Sequence, residues 1–226
     1  MTRERRVEKM ENFKKYKKTM MLTSIVMLIP ILIGVLLWDR LPEQVATHFD
    51  FEGNPNGWTS REFTVFGIPL FLLVCQWIAA AFTLSDPKHK NLSEKVFRMI
   101  LWIVPMASLL LAIVCYGYEL GYETSDRTIA FATMGVLFIV IGNYLPKCRQ
   151  NYTIGIKIPW TLHDEENWNH THRMAGYLWI LGGLLMLANI FLKWDWLFPI
   201  VLAVSVLVPT IYSYLYYRKN GISKRG

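Results

Sequence analysis

Apolar residues along this chain gather into long uninterrupted runs, and the charged residues fall in the intervals between them. Six stretches, 20–38, 63–84, 99–118, 128–145, 174–192 and 196–217, contain no Lys, Arg, Asp or Glu. The runs are 18 to 22 residues long, and about 20 apolar residues in a helix cross a hydrocarbon core roughly 30 Å thick. They show no period of two, so they do not read as barrel strands. The pattern predicts an all-α integral membrane protein with six transmembrane helices. The first run, Met20 to Trp38, exceeds the apolar core of a secretory signal, and no small-x-small cleavage site follows it. It reads as a retained signal anchor.

Charge orients the spans. Of the 24 Lys and Arg residues, 20 lie in the N-terminal tail, 85–98, 146–173 and the C-terminal tail, and 4 in 39–62, 119–127 and 193–195. Basic residues accumulate on the cytoplasmic side, so both termini are predicted inside and 39–62 outside, as a small extracellular cap between helices 1 and 2. The net charge of +7 is then mainly a topology signal. The basic run Arg3–Lys18 adjoins a span end, where anionic lipid attracts it, and the lipid bilayer rather than nucleic acid is its expected partner. Cys75 and Cys115 lie within spans and Cys148 in an inner loop, which leaves no extracellular disulfide framework.

Inside the spans there is nothing ionisable, which disfavours ion-coupled transport. Gln76, Asn143 and Asn189 read as helix–helix hydrogen bonds. Pro30, Pro69, Pro105, Pro199 and Pro209 each predict a kink or a helix start. Gly117 and Gly121, four apart, would allow close helix contact. Trp38, Trp194 and Trp196 mark span ends.

Two loops carry chemistry. The outer loop holds Gly53-Asn54-Pro55-Asn56-Gly57, dense in turn residues. Phe49, Phe51 and Trp58 are expected to pack it onto the bilayer or the bundle. His48, near Asp50 and Glu52, reads first as a hydrogen-bonded structural residue and second as a pH switch or metal ligand. The inner loop 146–173 begins with an amphipathic stretch, Tyr152 to Trp160, closed by Pro159 and expected to lie in the interface. Thr161 to Asp164 resembles a capping box, with Asp164, Glu165 and Glu166 at a helix N-terminus. One helix is expected from about 162 through the fifth span. On it His163, Glu166 and His170 would share a face, with Asn167 beside them, as a candidate zinc triad. No HExxH pattern supports that triad, and a solvated face is the plainer reading. Thr171, His172 and Arg173 would lie near the lipid–water boundary, suited to a carbonyl, a lipid phosphate or loop backbone. No Ser-His-Asp set, phosphate-binding glycine loop or CxxC pair is present, and no cofactor is expected.

Across this inner loop the chain resembles the SdpI family of bacterial membrane immunity proteins. The resemblance rests on Gly142-Asn143-Tyr144-Leu145, Asn151-Tyr152, Gly155-Ile156, Pro159-Trp160-Thr161-Leu162, Trp168, Thr171-His172-Arg173 and Gly176. Leu41-Pro42, His48-Phe49, Gly53 and Asn56-Gly57-Trp58 look like the uncharacterised domain that often precedes it. Lys157 stands where that family often has Arg, Gln150 where it often has Pro, and Ala46 where the outer motif often has Pro. Lys lacks the planar fork that Arg would offer an anion.

The resemblance implies a multi-pass bacterial plasma-membrane protein that is not an enzyme. It would protect its producer from a secreted peptide toxin, and toxin engagement would let it hold a cytoplasmic winged-helix repressor at the membrane. The expected organisation is a basic tail (1–19), the first span with the outer loop (20–66), spans 2 and 3 (67–134), an SdpI-type domain (135–217) and a second tail (218–226). Candidate site residues are Asn143, Asn151, Gly155, Lys157, Pro159, Trp160, Thr161, Trp168, Thr171, His172 and Arg173, with His48 and Trp58 outside. Pro159 and the glycines would shape the loop, while Lys157, His172 and Arg173 would offer donors to a partner. Two other readings are carried: a passive transporter or lipid-handling protein, and a membrane-embedded zinc-dependent hydrolase using His163, Glu166 and His170.

Overall fold

The computed structural model describes the backbone of residues 3–50, 54–86, 88, 93–122 and 126–223, and their side chains apart from those of 3–13, 126–127 and 221–223. Phe51, Glu52 and Gly53, expected in the outer turn, lie outside the described residues. The order is α1 (Arg3–Leu36), β1 (Gln44–Phe49), β2 (Pro55–Ser60), a π-helical turn (Phe63–Gly67), α2 (Ile68–Leu84), α3 (Glu94–Glu119), α4 (Asp126–Tyr144), α5 (Pro159–His163), α6 (Glu165–Leu192) and α7 (Leu197–Ser223). Among the described residues six helices are long and apolar enough to cross a membrane, as the charge-free runs require. Pro30, Pro105 and Pro209 lie inside helices, while Pro69 occupies the first turn of α2 and Pro199 that of α7. By Cα proximity the chain divides into two units, Met1–Ser85 with Phe97–Ile129, and Asp86–Val96 with Ala130–Gly226.

In the first unit the outer loop is a hairpin. Gln44 pairs with Ser60, Val45 with Thr59 and Ala46 with Trp58, and the register is irregular around His48. The buried side chains here are Leu41, Val45 and Ala46. Leu41 and Val45 join Val65, Ala112, Cys115 and Tyr116 in one buried cluster, whereas Trp58 is 53% exposed. Phe49 does pack as expected, edge-on to Tyr118 at 5.3 Å. Polar ties complete the seat. Ala46 N donates to Glu119 Oε1 at 2.8 Å, and Arg61 Nη1 donates to the Trp38 and Leu41 carbonyls at 3.1 Å each. The Arg61 guanidinium also covers the Trp38 ring at 4.4 Å. His48 is hydrogen-bonded through Nδ1 to Asn56 Oδ1, the structural role read from its sequence context.

Of the three polar span residues, Gln76 makes the expected helix–helix bond, Nε2 donating to Thr23 Oγ1 at 2.7 Å. The other two do not. Asn143 is exposed and accepts from Lys147 one turn on. Asn189 closes its own helix end: its side chain bonds both Trp194 N and Trp194 O at 2.9 Å, beside Lys193 with its φ of 53°.

Close helix approach occurs in the second unit. A Cβ on Gly142 would lie 2.8 Å from Gly176 O, and one on Gly183 would lie 2.5 Å from Gly135 O. These two pairs let the backbones of α4 and α6 touch. Gly117 and Gly121 do not serve this purpose, since a Cβ at either meets nothing within 4 Å. Gly121 instead closes α3 with a φ of 75°. We therefore expect Gly183→Val to destabilise the protein by about 1–3 kcal/mol through overpacking. Gly117→Ala should be neutral or gain up to about 1 kcal/mol of helix propensity. Thermal unfolding in detergent distinguishes the two, and equal shifts would refute the assignment of the contact.

Candidate functional site: the inner loop and its imidazole support

Beyond a 3-10 turn at Leu145–Lys147 the segment between α4 and α5 has no regular structure, yet its polar groups are systematically paired. Buried Asn151 folds the chain around itself. Its Nδ2 donates to Arg149 O and Ile154 O (2.9 and 3.0 Å), and its Oδ1 accepts from Thr153 N and Ile154 N (2.9 and 2.7 Å). The Asp86 carboxylate, also buried, takes Tyr152 N at 2.8 Å and Thr153 Oγ1 at 2.6 Å through Oδ2. Gln150 spans the loop. Its Nε2 donates to Thr161 O and Leu162 O, and its Oε1 accepts from Lys88 Nζ at 2.6 Å. Thr161 Oγ1, fully buried, lies 2.7 Å from Ile156 O and 2.9 Å from Ile158 O and accepts from Ile158 N.

Helix α6 supplies the support. Trp168 is fully buried and its Nε1 donates to Cys148 O at 2.7 Å. One turn later His172 stacks on it, ring centroids 4.0 Å apart. His172 Nδ1 faces the Trp168 carbonyl at 2.8 Å, so it carries the proton. Nε2 accepts from Ile156 N at 2.9 Å. A neutral imidazole has one N–H and one lone pair, and both are used. Gly155 passes over this stack with a φ of 116°, and a Cβ there would sit 2.5 Å from His172 Nε2 and 2.9 Å from the Trp168 ring. Only glycine fits the angle and the space together.

The next helix face ties α6 to α7. Asn167 Nδ2 donates to Ser213 O at 3.0 Å, and Asn167 Oδ1 accepts from Thr171 Oγ1 and Ser213 Oγ at 3.0 and 2.9 Å. Trp160 meets Tyr214 edge-on at 5.2 Å.

Comparison with known proteins converges on this region. Residues 147–213 match the SdpI/YfhL protein family, and residues 25–73 match a domain of unknown function, DUF1648. The Immunity protein SdpI of Bacillus subtilis (strain 168) is 28% identical over 213 residues, covering 90% of this chain and 99% of that protein. The chain is similar to the SdpI family in this region. No solved structure matches it significantly.

The candidate site residues of this region separate into two groups by geometry. Asn151, Gly155, Thr161, Trp168, Thr171 and His172 converge inward; all but Gly155, which is half-buried, are buried. Lys157, Pro159 and Arg173 face outward, with Trp160 half-buried and Asn143 exposed away from the loop network. The Thr171-His172-Arg173 triplet is thus divided: Thr171 bonds within its helix, His172 holds loop backbone, and Arg173 remains exposed. His172 is therefore not the outward donor anticipated for a partner.

Two expectations about helix α6 need correction. It begins at Glu165, not near 162, because Asp164 is its N-cap, with Oδ1 accepting Glu166 N and Asn167 N. Thr161 turns inward to the loop. The break places His163 on the separate helix α5, where Nδ1 donates to Pro159 O at 2.7 Å, while His170 stacks on Tyr216 at 5.1 Å. The zinc triad loses its common face. Among the described residues no group of three His, Cys, Asp or Glu could hold a metal ion. Asp86, Lys88 and Ser213 went unread in the sequence, because each acts on a residue 46 to 67 positions away.

Cys148 reports on the loop's integrity, since burial pushes its thiol up to about 11. A raised pKa means that this contribution to stability is complete below the unfolded value near 9 and is lost as pH rises through 11. In a chain carrying Cys75→Ala and Cys115→Ala, maleimide labelling of Cys148 is expected to stay slow at pH 8. Gly155→Ala, straining the backbone by about 1–3 kcal/mol, should raise that rate by about tenfold or more. Unchanged labelling would show that the Gly155 conformation does not hold the loop shut.

Proposed function

We propose that this multi-pass membrane protein is a non-enzymatic immunity protein that protects its host against a secreted peptide toxin. The observation carrying the reading is that the inward-facing residues of the SdpI-like segment form one self-satisfied loop supported by Trp168 and His172. The likeness to a protein named for immunity runs along nearly its whole length, not over one domain alone. On the predicted outer side, the hairpin presents exposed Trp58 and His48 as a surface for an extracellular peptide. On the predicted inner side, the loop offers the partly exposed Trp160 to a soluble partner. The finer reading is that toxin engagement favours a conformation that sequesters a cytoplasmic winged-helix repressor. That requires the toxin to bind one of two conformations more tightly.

The test is a survival assay. A sensitive Gram-positive host expresses the intact chain or a Trp160→Ala/His172→Ala variant at matched membrane abundance and is challenged with SDP-type peptide. The intact chain is expected to protect and the variant to fail. Equal killing with and without the well-expressed chain would refute immunity to that peptide.

A further inference from the structure

The inner loop spends its neutral polar side chains on itself and leaves two of its cations, Lys157 and Arg173, unspent. Lys157 and Arg173 are both exposed, and among the described residues neither has a hydrogen bond or ion pair. They are far apart in sequence but not in space. The 2.9 Å bond from Ile156 N to His172 Nε2 joins the residues immediately preceding each of them. One buried imidazole therefore holds the backbone that leads into Lys157 against the helix turn that carries Arg173.

The position of Arg173 indicates what this pair would meet. It immediately precedes the charge-free run 174–192. Moving along α6 in steps of three or four, the same exposed face continues through Tyr177, Leu181 and Leu184 at 70%, 55% and 52% exposure. A stripe of large apolar side chains on a spanning helix faces lipid tails, and a cation at its end lies at headgroup depth, where long basic side chains reach phosphate. Tyr177, one turn from Arg173, has the amphipathic ring that favours the same boundary.

We propose that Lys157 and Arg173 form a binding site for the phosphate of an anionic phospholipid, organised by the His172–Ile156 bond. Arg offers a planar fork to phosphate oxygens and Lys a mobile point charge, and together they suit one headgroup better than either alone. The occupant is a membrane lipid and not a free anion, because the apolar stripe that continues from Arg173 would accept the attached acyl chains. This site does not depend on the immunity reading and would operate whether or not a toxin exists.

The full chain, purified in detergent, is titrated with phosphatidylglycerol or phosphatidylcholine, and bound lipid is counted by native mass spectrometry. Lys157→Gln and Arg173→Gln are each expected to weaken phosphatidylglycerol binding about fivefold, the attraction typical of one basic residue at a membrane surface. Phosphatidylcholine binding should be unaffected. Arg218→Gln removes another exposed cation, at the end of the sixth span, and should change little. His172→Ala, with both cations retained, should mimic the losses by releasing the loop. Equal losses from Arg218→Gln would reduce the effect to general surface charge and overturn the site. Displacement of the lipid by millimolar inorganic phosphate would overturn the choice of lipid. Both Gln variants alter exposed side chains, so unchanged thermal unfolding without added lipid is expected and separates lost binding from lost folding.

Discussion

The inner half of this protein depends on a neutral imidazole with only two hydrogen-bonding positions. His172 gives its one proton to the Trp168 carbonyl and its one lone pair to the Ile156 amide. That fixes the ring plane against Trp168, which in turn directs the indole N–H to Cys148 O. The stacked rings leave room over them for a glycine alone, so Gly155 follows from His172. At a membrane boundary this economy matters, because an irregular segment short of water must find partners for its backbone within the protein. An unpaired amide there would cost about 1–3 kcal/mol, and Asn151, Asp86, Gln150, Thr161 and His172 each remove at least one such cost.

The outer hairpin is held on a different principle. Its strands are short, and a lone two-stranded sheet has little stability of its own. It persists because Leu41 and Val45 bury themselves against Val65, Cys115 and Tyr116. Glu119 and Arg61 then satisfy backbone groups that the hairpin ladder leaves unpaired. Apolar burial tolerates sequence change better than a network in which each donor has one acceptor.

What was legible in the sequence follows the range of the forces involved. Charge exclusion from a hydrocarbon layer acts on each run by itself, so the six spans could be read directly. Candidate residues of the inner loop could be named from the sequence, but not their division into inward and outward sets. His172 and Arg173 are neighbours in sequence and opposite in role because about 100° of helix rotation separates them. The start of α6 was misplaced since Thr161 and Asp164 are both competent N-caps, and only the demand of Ile156 and Ile158 for a hydroxyl decides between them. Close helix contact was sought at Gly117 and Gly121, where the spacing is local, whereas the contacts at Gly142 and Gly183 depend on glycines more than thirty residues away. Asp86 illustrates the same limit, as its partners lie 66 and 67 positions on.

The π-helical turn at Phe63–Gly67 stands between the hairpin and α2. Such a turn holds one residue more than an α-helical turn needs. Removing one residue would restore ordinary winding and swing everything before it by about 100° about the helix axis. The direction in which the hairpin looks is thus stored as a count of residues rather than as a choice of side chains. Length variation of a single position at this turn would re-aim the outer surface while leaving both the hairpin and the span chemically unchanged.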